Sequence, residues 1–241
     1  MSSVVTQVQD RIARRRLLDH PFYTAWSKGE LSRDILQKYA EQYYHWVNAF
    51  PTWLSATHSN ATDFAMRQSI LNNLIDEEQG TENHPELWLR FCDALGLDRD
   101  AVKSAELLPE TRDAIAAMRR VCRDEPAVAG LTALYAYESQ QPEVMKTKRE
   151  GLRDLYGVTT GHDYFELHET LDIAHSADQR AMIDARAEGH EDAIVAAADT
   201  ALEATYTLLN GIERVRSTTL GEEARVRSTT LGEQARVRAA H

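Results

Sequence analysis

Residues 33–48, RDILQKYAEQYYHWVN, decide the fold class. Ile35, Tyr39, Gln42, Tyr43 and Trp46 recur there at intervals of three and four, one face of an α-helix. Ser32 followed by Asp34 supplies the start signal. Working outward, the same spacing returns at Leu152, Leu155 and Tyr156, and no convincing run of alternating β-branched residues between turn dipeptides appears. Pro21, Pro51, Pro85, Pro109, Pro126 and Pro142 read as helix starts or corners, because proline is tolerated in a first turn and disruptive inside a helix. Gly96 closes a segment running from Trp88 to Leu95. Gly157 to His162 form the clearest loop, ahead of a long helix from about Tyr164 to Ala187. Gly189-His190-Glu191 interrupts before a last helical stretch from Ala193 to Ile212. The expectation is an all-α chain of eight or nine helices, in one domain because no linker is long enough to separate two.

The 241 residues carry 27 Lys+Arg against 38 Asp+Glu, a net charge of -11, with 43% hydrophobic residues, an ordinary globular mix. The acid surplus argues against phosphate backbones or anionic lipid as partners, although Arg11, Arg14, Arg15 and Arg16 could form a small basic patch. No apolar run approaches the roughly 18 residues of a membrane span, and no signal peptide is visible. Two cysteines, Cys92 and Cys122, suit a reducing cytoplasm. The tail repeats itself: residues 214–224, RVRSTTLGEEA, return almost unchanged at 225–235, and a third copy starts at Arg236. An eleven-residue period can drive a right-handed coiled coil, but Gly221, Gly232 and the sparse apolar residues argue against a burying face. Residues 214–241 are expected to form a loosely ordered extension of a helical domain spanning 1–213.

Chemistry concentrates in three places. Glu77 and His84 are seven apart, which on one helix would align them on a face about 10 Å apart along the axis. The segment from Asp76 to Glu86 holds five acids and no base, an awkward accumulation of like charge unless a cation sits nearby or the segment is a solvated helix end. His168, Asp172 and His175 share one face of one helix, the mixture of imidazole and carboxylate that first-row metals accept, or else a polar stripe. Glu138 follows Leu131, Leu134, Tyr135 and Tyr137 and points into an apolar interior, where a carboxylate needs a cation. Three carboxylates and three histidines from three helices are the ligand inventory of a dinuclear metal site inside a bundle.

The motifs His20-Pro-Phe-Tyr-Thr-Ala-Trp26, Glu77-x6-His84, Glu138-Ser-Gln and His168-x3-Asp-x2-His175 closely resemble the haem-oxygenase-like dimetal oxidases and oxygenases. Within that superfamily, which also holds PqqC-like and TenA-like enzymes, the chain looks most like the Chlamydia protein associating with death domains and its bacterial relatives. The resemblance covers roughly Arg14 to Ile212. It implies a compact bundle of seven to nine helices, usually dimeric. It also implies iron, or mixed iron and manganese, held by Glu77, His84, Glu138, His168, Asp172 and His175. The members nearest in sequence are regarded as self-sacrificing synthases of 4-aminobenzoate, the folate precursor. With O2 and a reductant they excise a protein tyrosine for the ring and take the amino group from a lysine. By motif match the tyrosine is Tyr23, with Tyr39 a second candidate, and the lysine is Lys148, with Lys146 close enough to compete. Read from the residues alone, an aromatic beside Trp26 is core, and a lysine on a helix from Pro142 to Leu155 is by default solvated, unless burial lowers its pKa enough to make the neutral amine.

Other readings attach to the same fold. Relatives with the same ligands cleave fatty acids to terminal alkenes or fragment amino acids. A quinone-forming oxidase would not need the six ligands. A thiamin-degrading enzyme needs a nucleophilic cysteine, yet Cys92 and Cys122 sit in apolar company. A haem oxygenase needs a proximal histidine, for which His20 is available in a helix-start context. An interaction module would leave the six inward ligands without purpose.

Overall fold

The computed structural model describes the backbone of residues 3–239 and the side chains of residues 3–222. Eleven α-helices and one 3-10 turn account for its regular structure, with no strand among the described residues. They are α1 (Val4–Arg14), α2 (Pro21–Ser27), α3 (Arg33–Asn60), α4 (Phe64–Glu78), α5 (His84–Ala94), α6 (Arg99–Lys103), α7 (Pro109–Asp124), α8 (Ala127–Glu138), α9 (Gln141–Asp154), α10 (Asp163–Asp184) and α11 (Glu191–Ala239), with the 3-10 turn at Leu17–Asp19. Nine of the eleven have at least eleven residues, the short ones being α2 and α6. None of them is long and apolar enough to cross a membrane.

Local chemistry sets the boundaries. Ser32, Asp63, Asn83 and Asp98 each cap a helix by accepting the backbone N–H three residues on, satisfying donors that the first turn leaves free. His20 caps α2 with Nδ1, which accepts from the Phe22 amide at 3.1 Å, while Pro21 occupies the first helical position. Five of the six prolines stand at helix starts, as the sequence predicts. Pro51 does not: it lies inside α3, which runs on to Asn60. An interior proline costs about 3 kcal/mol. Burial of Trp46, Phe50, Trp53 and Leu54 on the same helix outweighs it.

The long α3 is the spine, packed against α4, α5, α7 and α8, while α11 lies along α7 and α8 and α10 along α8, α9 and α5. Helix α8 is buried along nearly its whole length, so its sequence shows no polar face. Two close approaches need glycine. A Cβ at Gly151 would come within 2.5 Å of Trp26 Nε1, and at Gly161, where φ is +72°, within 2.6 Å of the Arg90 carbonyl. The expected tail boundary at 213/214 is not a break in secondary structure, since α11 continues through it to Ala239. Arg214 there donates to Glu110 and Arg216 to Glu213. The side chains of the repeats from residue 223 onward lie outside the described residues.

Candidate metal centre

Four helices, not three, deliver the six residues. Glu77 and His84 do not share a helix: Glu77 lies in the last turn of α4 and His84 begins α5. Gly80, at φ +80°, and the Asn83 cap turn the chain between them. The turn replaces an axial separation of about 10 Å by contact, with His84 Nδ1 2.6 Å from Glu77 Oε2. Helix α10 contributes His168, Asp172 and His175 from one face, and Glu138 is the last residue of α8.

The six residues form two buried groups, Glu77/His84/His168 and Glu138/Asp172/His175, each with one ligand atom per residue and all three atoms within 4.8 Å of one another. The groups' own hydrogen bonds leave ligand atoms facing inward. His168 Nδ1 meets the Tyr164 carbonyl at 2.7 Å, freeing Nε2, and His175 Nε2 meets Asp76 Oδ2 at 3.1 Å, freeing Nδ1. Glu138 accepts from Asn73 Nδ2 at 2.8 Å and from Gln179 Nε2. His84 Nδ1, His175 Nδ1 and Asp172 Oδ2 are buried without a hydrogen bond. Close approach without a hydrogen-bonding direction is the geometry of atoms aimed at a shared third point, and this donor set fits two first-row dications.

Electrostatics give the same answer. Burial raises Glu77, and burial together with the neighbouring carboxylates outweighs the His175 contact to bring Asp172 up to about 7. Burial opposes charge on His175, but Asp172, Glu138 and Asp76 raise it to about 11; for His84, Glu77 likewise prevails over burial. Burial, then the His84 charge, drives His168 well below the ordinary imidazole range. Glu77, Asp172, His84 and His175 thus hold protons more firmly than usual, whereas His168 gives its proton up.

Tyr23, Tyr39 and Lys148 come together from α2, α3 and α9. Lys146 is exposed, whereas Lys148 is fully buried, which corrects the expectation of a solvated lysine. Its Nζ lies 4.6 Å from the Tyr43 ring centroid, 5.4 Å from Tyr39, 5.6 Å from Tyr23 and 5.8 Å from Trp88. It has no carboxylate partner among the described residues, and burial pushes its ammonium well below the ordinary lysine range. Burial likewise pushes the phenols of Tyr23 and Tyr39 well above theirs.

A void of about 10 Å³ adjoins the metal-ligand candidates, with Glu77, Glu138, His168 and Asp172 in its wall. A second void of about 10 Å³ adjoins Tyr23 and Tyr43. Trp46 and Tyr137 belong to both linings, and Tyr137 shares a 2.6 Å hydrogen bond with Tyr43. Each void has room for about one water molecule. A cavity of about 970 Å³ is a groove at the surface of α1, α7 and α11 with none of the six in its lining. Most of the basic patch beside it is neutralised, since Arg11 pairs with Asp199, Arg15 with Glu203 and Arg16 with Glu143.

Sequence reasoning missed Asn73, Asp76 and Gln179, although their spacing held a signal. Asn73 precedes Glu77 by one helical turn and Gln179 follows His175 by one, extending each ligand stripe. Cys92 and Cys122 are buried, and burial pushes both thiols up to about 12, far from a nucleophilic thiolate.

The helical arrangement is a haem-oxygenase-like fold: a Shewanella denitrificans domain of unknown function described by that fold superposes with a TM-score of 0.69 at 18% identity, covering 90% of this chain and 91% of the other. The TENA/THI-4/PQQC family model matches residues 6–213, and the chain belongs to this family. It is 43% identical to a 4-aminobenzoate synthase of Nitrosomonas europaea, over 86% of this chain and 89% of the relative. It is 37% identical to a 4-aminobenzoate synthase of Chlamydia muridarum, over 85% and 87%. The chain is an oxidative enzyme.

Proposed function

We propose that the chain is a dimetal, O2-dependent synthase of 4-aminobenzoate that uses its own Tyr23 for the ring and Lys148 for the amino group. Glu77, His84 and His168 would hold one ion and Glu138, Asp172 and His175 the other, as iron with iron or iron with manganese. When bound, such a pair supplies the site at which O2 is reduced with electrons from an external reductant. The chain's own residues do the rest. Asn73 and Gln179 fix Glu138, Asp76 fixes His175, and the Tyr164 carbonyl fixes His168. The aromatic wall around Lys148 excludes water and keeps its amine neutral, with the lone pair free to form a bond to carbon. The reading carries with it a cytoplasmic homodimer serving folate synthesis.

The observation that carries this reading is room. The void enclosed by the candidate ligands is about 10 Å³ and the solvent-facing cleft at His175 about 200 Å³, both below the roughly 300–1,000 Å³ of a small-molecule pocket. Tyr23 is already inside, lining the second void with Trp46 and Tyr137, and Lys148 Nζ lies 5.6 Å from its ring centroid. Aerobic incubation with ferrous iron and reductant, followed by intact-mass and peptide analysis, tests it. The expected result is mass loss confined to residues 23 and 148, the sources of ring and nitrogen, and about one 4-aminobenzoate per chain at most. Unchanged protein mass with consumption of an added substrate would favour an external-substrate oxygenase.

Glu138→Ala is expected to lower bound metal from two ions per chain to one or none, measured by elemental analysis after anaerobic loading. It also strands the Asn73 and Gln179 amides, at about 1–3 kcal/mol each. Glu138→Gln, which keeps the volume, separates loss of metal from loss of fold.

A further inference from the structure

The two triads differ in how they meet solvent, a difference that rests on the two-ion reading above. Glu77, His84 and His168 are each at most 4% exposed. The other triad borders a cleft of about 200 Å³ between α4 and α10, in whose wall stand Asn73, Asp76, His175, Asp178 and Gln179. His175 is the one candidate ligand in that wall, with 11% of its side chain exposed.

The cleft is graded in oxygen donors. Asp76, whose side chain is 44% exposed, accepts from His175 Nε2 at 3.1 Å and so joins the surface to the imidazole. Deeper in, Asn73 and Gln179 are 4% and 3% exposed. Each turns its amide N–H groups to Glu138 and leaves its carbonyl oxygen without a hydrogen bond. Buried carbonyl oxygens without donors are costly unless something positive visits them. A hard dication moving inward would meet carboxylate, then amide oxygen, then Glu138 and Asp172, with oxygen ligands at every stage.

We propose that this cleft is the route by which metal ions reach and leave the protein. The Glu138/Asp172/His175 position then exchanges with solution, and the Glu77/His84/His168 position retains its ion. Asp76 is a positioning residue: it orients His175 and draws the cation to the mouth.

Manganous ion alone tests this without turnover. Protein loaded anaerobically with Mn(II) is mixed with excess chelator, and release is followed by the paramagnetic resonance of free Mn(II). Two phases of equal amplitude, one ion per chain in each, are expected. Ala174→Trp, which sets an indole into the cleft from an exposed position on α10, should slow the fast phase about tenfold or more while two ions still bind. Ser69→Trp does the same from α4 should the first variant fold poorly. Ala181→Trp, exposed on α10 outside the cleft, should change nothing. Asp76→Asn keeps an acceptor for His175 but removes the charge, and should slow Mn(II) uptake and weaken the exchangeable ion about 10-fold or more. Two ions leaving in a single phase, or a fast phase indifferent to both cleft tryptophans, overturns the proposal. Binding of fewer than two ions overturns the two-ion reading, and this inference with it.

Discussion

A chain carrying Tyr23→Phe is expected to bind both metal ions, release no 4-aminobenzoate and keep its mass after aerobic incubation with ferrous iron and reductant. The substitution removes one oxygen from a side chain that is 1% exposed and packed beside Phe22, with ring centroids 5.2 Å apart, so the volume of the cluster survives. None of the six candidate ligands lies on α2, so metal content has no reason to change. What is lost is the phenol, the electron-rich group the proposed excision requires. Tyr39→Phe is the control, because Tyr39 faces the same lysine at a similar distance. Product from Tyr23→Phe but none from Tyr39→Phe would transfer the substrate role to Tyr39.

Lys148→Met is expected to abolish the product and to change how stability depends on pH. The folded chain holds the Lys148 amine well below its ordinary pKa, through burial. Above that depressed value and below about 10.4, the unfolded chain keeps a proton that the folded chain has given up. Wild-type stability therefore gains about 1.4 kcal/mol per pH unit from this one group as pH rises through that window. Methionine matches the volume and lacks the proton, so the variant is more stable near pH 7 and its advantage shrinks as the medium becomes alkaline. Urea unfolding of both chains at several pH values between neutrality and about 10 reads the difference directly, since other titrating groups cancel in the comparison. Parallel profiles would mean that the folded chain holds a charged lysine, and would remove the neutral amine from the proposed chemistry.

The helical class was legible because the stripe from Ile35 to Trp46 depends only on residues one turn apart, and each of its members is buried. The inward face of α10 was legible for the same reason. The relation between Glu77 and His84 was misread even though Gly80, Asn83 and Pro85 all stood between them. Spacing by seven suits a continuous helix, and the turn signals in between have to be weighed against it. Pro51 was misread in the opposite direction, because the burial that outweighs its cost is set by helices distant in sequence. The choice between Lys146 and Lys148 was closed to local reasoning for that reason too. Both lie on α9, and only the packing of α2 and α10 and the Tyr39 and Tyr43 rings of α3 decides which one loses its water.

Helix α10 gives a ligand candidate to each triad: His168 to one, Asp172 and His175 to the other. Neither triad can be complete on a chain that stops short of it. During synthesis, Glu77, His84 and Glu138 emerge first as isolated polar groups, and Tyr23, Tyr39 and Lys148 also precede α10. A nascent chain therefore carries every group that the proposed chemistry would alter before it has either full set of candidate ligands. On the proposed function, the late position of α10 makes completion of the metal-binding groups follow synthesis of the helices that carry Tyr23, Tyr39 and Lys148.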